Sequence, residues 1–224
     1  MLVAVLAAAF FIAYPRFDLW VGHRMLGPDG RFLLGRSRLF DILHYLTNYW
    51  VGLTIAFFAV AAALHLLGRP VAKLGPSHAL YVALVFVIGP GLLANALLKD
   101  HSHRPRPGDV LQFQGDDLYA APFAFDGACD HNCSFVAGDP SAAFALAGPA
   151  LLLPPGRRKW GIAGVLAFGA LVGLMRMYQG GHFLSDVIFA ALLSLGTALV
   201  LHWAMFRADG APRRLGLVKP PAAE

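Results

Sequence analysis

The residues best placed to do chemistry lie between Met175 and Asp186, where the chain reads Met-Arg-Met-Tyr-Gln-Gly-Gly-His-Phe-Leu-Ser-Asp. Each glycine is about 1 kcal/mol worse than alanine inside a helix, so one apolar segment is predicted to end there and turn on Gly180 and Gly181. His182 is then expected at or near the next helix start, with Asp186 one turn along the same face. That spacing lets a carboxylate accept from one imidazole nitrogen and keeps the other unprotonated and nucleophilic. Arg176, arriving from the other side of the turn, could clamp an anion. A histidine nucleophile, an orienting carboxylate and an arginine together suggest phosphoryl transfer. For this stretch alone, the alternative is an i,i+4 ionic pair at a membrane surface.

Two further polar clusters precede it. Lys99-Asp-His-Ser-His-Arg-Pro-Arg106-Pro107 closes one apolar segment, and Ser134-Phe-Val-Ala-Gly138-Asp139-Pro140 opens the next. Arg104, inside the first cluster, reads as a spare headgroup contact. Lys99 could be no more than a snorkelling anchor. Cys129 and Cys133 are the only cysteines. A disulfide between them fits an oxidising compartment. Free thiols remain open, and so does a metal site begun with His131, although no fourth ligand stands at the usual zinc spacing.

These clusters need elements to hold them, and the composition points to a bilayer. The 224-residue chain is 58% hydrophobic and 14% charged, with a mean hydropathy of +0.60. Its apolar residues lie in runs near the roughly 20 residues that a membrane helix needs. The expected spans are Met1 to Tyr14 (short), Phe40 to Leu67, His78 to Leu98, Pro140 to Leu153, Gly161 to Tyr178 and His182 to Phe206. Gly89-Pro90-Gly91 should kink or loosen the third. Arg16 to Arg38 is expected to lie along the headgroups, broken by a turn at Gly27-Pro28-Asp29-Gly30. The fold class is therefore an all-α polytopic membrane bundle of about six helices. Residues 1–206 form one expected domain, followed by a basic, flexible tail over 207–224. A net charge of +5 carried in short scattered groups argues against nucleic-acid binding. Nine basic residues fall on each side of the predicted membrane. Five of one set share the single segment Arg16 to Arg38, and the other four look functional. The opposite side is therefore expected to be cytoplasmic, with the Asp-rich 100–139 loop facing outward.

The three ordered clusters resemble the type 2 phosphatidic acid phosphatase (PAP2) superfamily. The first family motif, Lys-x6-Arg-Pro, matches at Lys99, Arg106 and Pro107. The last, Ser-Arg-x5-His-x3-Asp, matches at Arg176, His182 and Asp186, with Met175 in place of Ser. The resemblance implies a membrane phosphatase acting without a metal or other cofactor. Lys99, Arg106 and Arg176 would hold the phosphate with backbone N–H groups near Gly138. His182, oriented by Asp186, would become a phosphohistidine. The middle motif departs, because Val136-Ala137-Gly138-Asp139 stands where the family has Pro-Ser-Gly-His. Asp139 is then the positional replacement for the acid that protonates the leaving oxygen. It could instead be only an N-cap ahead of Pro140. His101, His103 and His131 are the other candidate acids. The implied partner is a phosphorylated membrane lipid, with lipid A (4′-phosphate) ranked first. Polyprenyl diphosphates such as undecaprenyl diphosphate, and phosphatidic acid or phosphatidylglycerophosphate, come next. An inactive lipid-binding relative is the alternative of another class. The implied location is the bacterial inner membrane, multi-pass, with the site facing the periplasm.

Overall fold

A computed structural model describes residues 2–35, 38–71 and 74–206. The 207–224 tail lies outside them. All regular structure among the described residues is helical: α1 (Leu2–Ala13), α2 (Phe17–His23), α3 (Arg38–Leu66), α4 (Pro76–Phe86), α5 (Gly138–Ala145), α6 (Ala147–Leu151), α7 (Pro155–Tyr178) and α8 (Leu184–Met205). α4 continues without interruption as a π-helix over Val87–Lys99. Pro90 lies inside this stretch and lacks the N–H that an α-turn would use. Asn95 Nδ2 donates to the Pro90 carbonyl at 2.7 Å, so the loosened backbone keeps a partner.

Among the described residues, four helices are long and apolar enough to cross a bilayer: Tyr49–Leu66, Pro76–Lys99, Pro155–Tyr178 and Leu184–Met205. α1 and α2 qualify only together, as a pair bent by 82°. The expected fourth span is different. It breaks into α5 and α6 at Leu146, three residues before Pro149, whose ring crowds the carbonyl one turn back. Fourteen residues rise about 21 Å, short of the roughly 30 Å hydrocarbon core. This short pair needs no long lipid face, because it packs on α7, α8 and the π-helical segment.

Small residues let it pack there. A Cβ on Gly169 of α7 would sit 2.3 Å from the Phe144 ring of α5, and one on Gly173 would sit 2.3 Å from Val187 of α8. Close approach of this kind is how helices associate in lipid. Ser141 and Ser194 join α5 to α8 through a 2.7 Å hydroxyl contact. One apolar core gathers Phe58, Tyr81, Val85, Phe86 and Leu151. A second, with Phe135, Val136, Phe144, Met177 and Val187, lies beneath the polar clusters.

The bundle has two chemically different ends. α7 carries Arg157, Arg158 and Lys159 in its first turns and Arg176 in its last, about 30 Å away at 1.5 Å per residue. Lys99 ends the π-helix, Asp139 lies in the first turn of α5, and His182 stands just before α8. All three motifs therefore meet at the Arg176 end.

Candidate active site

The α7–α8 connection turns where the paired glycines predicted. Gly180 has φ +70°, and Gly181 N–H returns to the Arg176 carbonyl at 2.9 Å. His182 follows in extended chain, two residues before α8 begins, and is almost fully buried. Its Nδ1 lies 2.8 Å from the Ser134 carbonyl oxygen but 3.8 Å from Asp186 Oδ2. The expectation that Asp186 accepts from the imidazole is therefore corrected, since 3.8 Å is beyond a hydrogen bond. A carbonyl can only accept, so Nδ1 carries the proton and Nε2 keeps the lone pair. Burial lowers the His182 pKa, and the cations of Arg176 and Arg106 lower it further, while Asp186 opposes them. The net direction favours the neutral, nucleophilic ring.

Asp186 is held by other groups. Its Oδ2 accepts from Ser134 Oγ at 2.6 Å and from Phe183 N–H at 2.7 Å. Its Oδ1 accepts from Arg104. Arg104 is only 1% exposed, which corrects its reading as a spare headgroup contact. It donates to the Ala120 carbonyl at 3.0 Å, Ser185 Oγ at 2.7 Å, Asp18 Oδ2 at 2.8 Å and Tyr119 Oη at 3.3 Å. Burial disfavours its charge, but Asp186 and Asp18 outweigh burial and raise its pKa above the ordinary arginine value. Asp18 comes from α2, within the stretch expected to lie along headgroups. It accepts from Ser185 N–H at 2.9 Å and also from the Ser185 hydroxyl. Burial raises the Asp18 pKa, while the Arg104 cation opposes it and holds Asp186 ionised behind His182.

The cations gather on the other side. A Cβ on Gly138 would meet Asn95 Oδ1 at 2.8 Å and Lys99 Nζ at 3.5 Å, so the ammonium sits against the first turn of α5. Arg176 Nη1 donates to Gln179 Oε1 at 2.8 Å, and its Nε lies 3.1 Å from Asp139 Oδ2. Arg106 donates from Nε and Nη2 to the Asn132 carbonyl at 3.2 and 2.8 Å. Burial lowers its pKa, and the Arg176 cation lowers it further. Three cations beside the start of α5 make an arrangement suited to a phosphate.

Asp139 is not the helix cap considered from sequence. Ala137 occupies that position and Asp139 lies in the first turn of α5, where a carboxylate complements the helix dipole. The alternative acids are turned elsewhere. His101 Nδ1 meets the Leu97 carbonyl at 2.8 Å, and His103 Nδ1 meets that of Cys129 at 3.0 Å. His131 is exposed beside Asp100. Cys129 and Cys133 are joined to each other. Their loop is tied back to the motif by Cys133 N–H to the Lys99 carbonyl and Ser134 N–H to that of Arg104. Sequence reasoning missed Asp18, Tyr119 and the Ser134 carbonyl. A buried-type acid in a short helix was a weak signal for the first, and the carbonyl left none.

Comparison with known proteins places the chain in a family. The family model described as the PAP2 superfamily matches residues 80–209. A lipid A 4′-phosphatase of Francisella tularensis subsp. novicida (strain U112) is 37% identical over 214 residues, covering 92% of this chain and 94% of that protein. A lipid A 4′-phosphatase of Rhizobium leguminosarum is 40% identical over 117 residues, 52% of this chain and 50% of that protein. No solved structure matches the chain. The family match covers both cation-bearing helix ends and the His182 turn, and the chain belongs to the PAP2 superfamily as a membrane phosphatase.

Proposed function

We propose that the protein removes the 4′-phosphate of lipid A through a phosphohistidine on His182. The chemical reading is carried by one observation, the Ser134 carbonyl at 2.8 Å from His182 Nδ1, which assigns the lone pair to Nε2. The substrate reading rests on similarity to a lipid A 4′-phosphatase along nearly the whole chain. Lys99, Arg106 and Arg176 neutralise the non-bridging oxygens, with the N–H groups at the start of α5. Nε2 attacks phosphorus in line, the N–P bond forms, and the bond from phosphorus to the sugar oxygen breaks. The bound phosphate competes with Asp139 for Arg176, and the released carboxylate takes the proton of the phosphate monoanion and passes it to the departing oxygen. Asp186, 3.8 Å from Nδ1, stabilises the positive ring. Asp139 then takes a proton from water, which attacks phosphorus and frees His182 and inorganic phosphate. The site faces the periplasm from the inner membrane.

The test is phosphate release by the purified protein from lipid A, phosphatidic acid and undecaprenyl diphosphate, with rapid quenching into alkali to trap phosphohistidine. The expected result is preference for lipid A and an acid-labile phosphoprotein that His182→Ala lacks. Preference for either other lipid would replace the substrate reading, and trapped label on another residue would replace the mechanism.

A further inference from the structure

A polar cleft of about 740 Å³ opens beside Arg176. Its walls include Asp29, Arg31 and Phe32 from the 27–35 loop, Phe113 and Gln114 from a 3₁₀ turn, and Gln179 from the α7–α8 turn. Three links join it to the phosphate site. Gln179 Oε1 holds Arg176 Nη1 at 2.8 Å. Gly108, also in the wall and two residues from Arg106, donates to the Gly180 carbonyl at 2.9 Å. Phe32 lines both this cleft and the narrow space that contacts His182 and Pro107.

The cleft is built rather than incidental. Gly30 has φ +72°, and a Cβ there would lie 2.5 Å from Gln114 Nε2. A Cβ on Gly180 would lie 2.5 Å from the Phe32 ring. Gly27 N–H to the Arg31 carbonyl at 2.7 Å closes the loop, and Leu34 N–H to the Tyr178 carbonyl at 3.1 Å fastens it to the end of α7. Asp29 Oδ1 accepts the Arg31 N–H at 3.1 Å, which fixes the carboxylate at the rim.

We infer that this cleft receives the pyranose ring that carries the scissile phosphate. The inference rests on the phosphatase reading above and deepens it to a substrate class. A carboxylate, a guanidinium and two carboxamides supply acceptors and donors for ring hydroxyl and amide groups. Phe32 and Phe113 supply apolar surface for the C–H faces of the ring, the mixture that marks small-molecule sites of this size. A polyprenyl chain would leave those polar groups unpaired at a cost, and a glycerol backbone has no ring to span them.

The experiment compares Asp29→Asn, Arg31→Gln and Gln114→Ala with the parent protein on lipid A, phosphatidic acid and p-nitrophenyl phosphate. Each variant should lower kcat/KM on lipid A about tenfold, mainly through KM, the size expected for one lost hydrogen bond in the cleft. Turnover of p-nitrophenyl phosphate and phosphatidic acid should stay within about twofold, given that ceiling, and it serves as the folding control. Soluble glucosamine 4-phosphate should inhibit p-nitrophenyl phosphate hydrolysis by the parent protein and more weakly by the variants, which separates ring recognition from lipid anchoring. Equal losses on all substrates, or none on lipid A, would overturn the cleft assignment while leaving the phosphatase reading intact. A parent protein inactive on lipid A would reject the substrate reading itself.

Discussion

Removing the guanidinium of Arg104 should unfold the site from behind. Arg104→Gln leaves Asp18 and Asp186, both 0% exposed, without the cation that separates them. Breaking a buried ion pair by deleting one partner costs about 3–5 kcal/mol, and here two carboxylates lose the same partner. A membrane domain of this size has total stability on the order of 5–15 kcal/mol, so much of it is at stake. The assay is thermal or denaturant unfolding in detergent micelles, alongside p-nitrophenyl phosphate turnover. Asp18→Asn in the Arg104→Gln background removes one of the two facing charges, so the double variant should be more stable than Arg104→Gln alone. Such non-additivity is the signature of a shared cluster. Arg104→Lys keeps the charge but loses the fork that reaches Asp186, Asp18 and Ala120 together, so its loss should fall between. If Arg104→Gln costs less than about 0.5 kcal/mol, as a surface arginine would, the buried-cluster reasoning is refuted.

Asp139→Asn should reduce turnover of lipid A by about 100-fold or more and that of an aryl phosphate far less, because only the sugar oxygen needs a proton to leave. Equal losses on both would mean that Asp139 serves only to hold Arg176. The acidic limb of kcat/KM should fall below the ordinary imidazole value of about 6.5, since burial keeps His182 neutral. Arg176→Gln removes a cation that lowers this pKa, so the limb of its residual activity should move to higher pH. Stability has the same sign: the His182 contribution is complete above about pH 6.5 and fades as pH falls, because unfolding then takes up a proton. Activity should survive EDTA, since three side-chain cations neutralise the phosphate; loss restored by a divalent ion would contradict this. For orientation, an impermeant thiol reagent on intact cells should label Leu118→Cys, a position 73% exposed, and not Arg157→Cys. The reverse labelling pattern would invert the topology.

The parts of the site legible in the sequence are those whose spacing is local. The Gly180–Gly181 turn, the neighbourhood of His182 and Asp186, and the loosened helix at Pro90 each follow from residues within a turn or two of one another. Lys99 and Arg176 stand out as charges ending apolar segments, and Arg106 was picked out by the Lys-x6-Arg-Pro motif. Arg104 was misread because its partners Asp18 and Asp186 lie 86 and 82 residues away, and two arginines around one proline look alike in sequence. The His182–Asp186 contact was overestimated for a related reason. Four-residue spacing implies adjacency only inside a helix, and His182 precedes the helix. The fourth span failed on length, since an apolar run of small residues does not reveal that neighbouring helices rather than lipid will cover it.

The Ser134 carbonyl has a consequence for inheritance. The acceptor that decides which nitrogen of His182 is reactive is an atom every amino acid possesses. No codon change at position 134 can delete it, although one can delete the hydroxyl that holds Asp186. Drift can therefore rewrite that side chain while the tautomer survives, and a motif comparison built on side chains will pass over the position. What selection must preserve there is the path of the main chain, which Lys99 and Arg104 hold through the amides of Cys133 and Ser134.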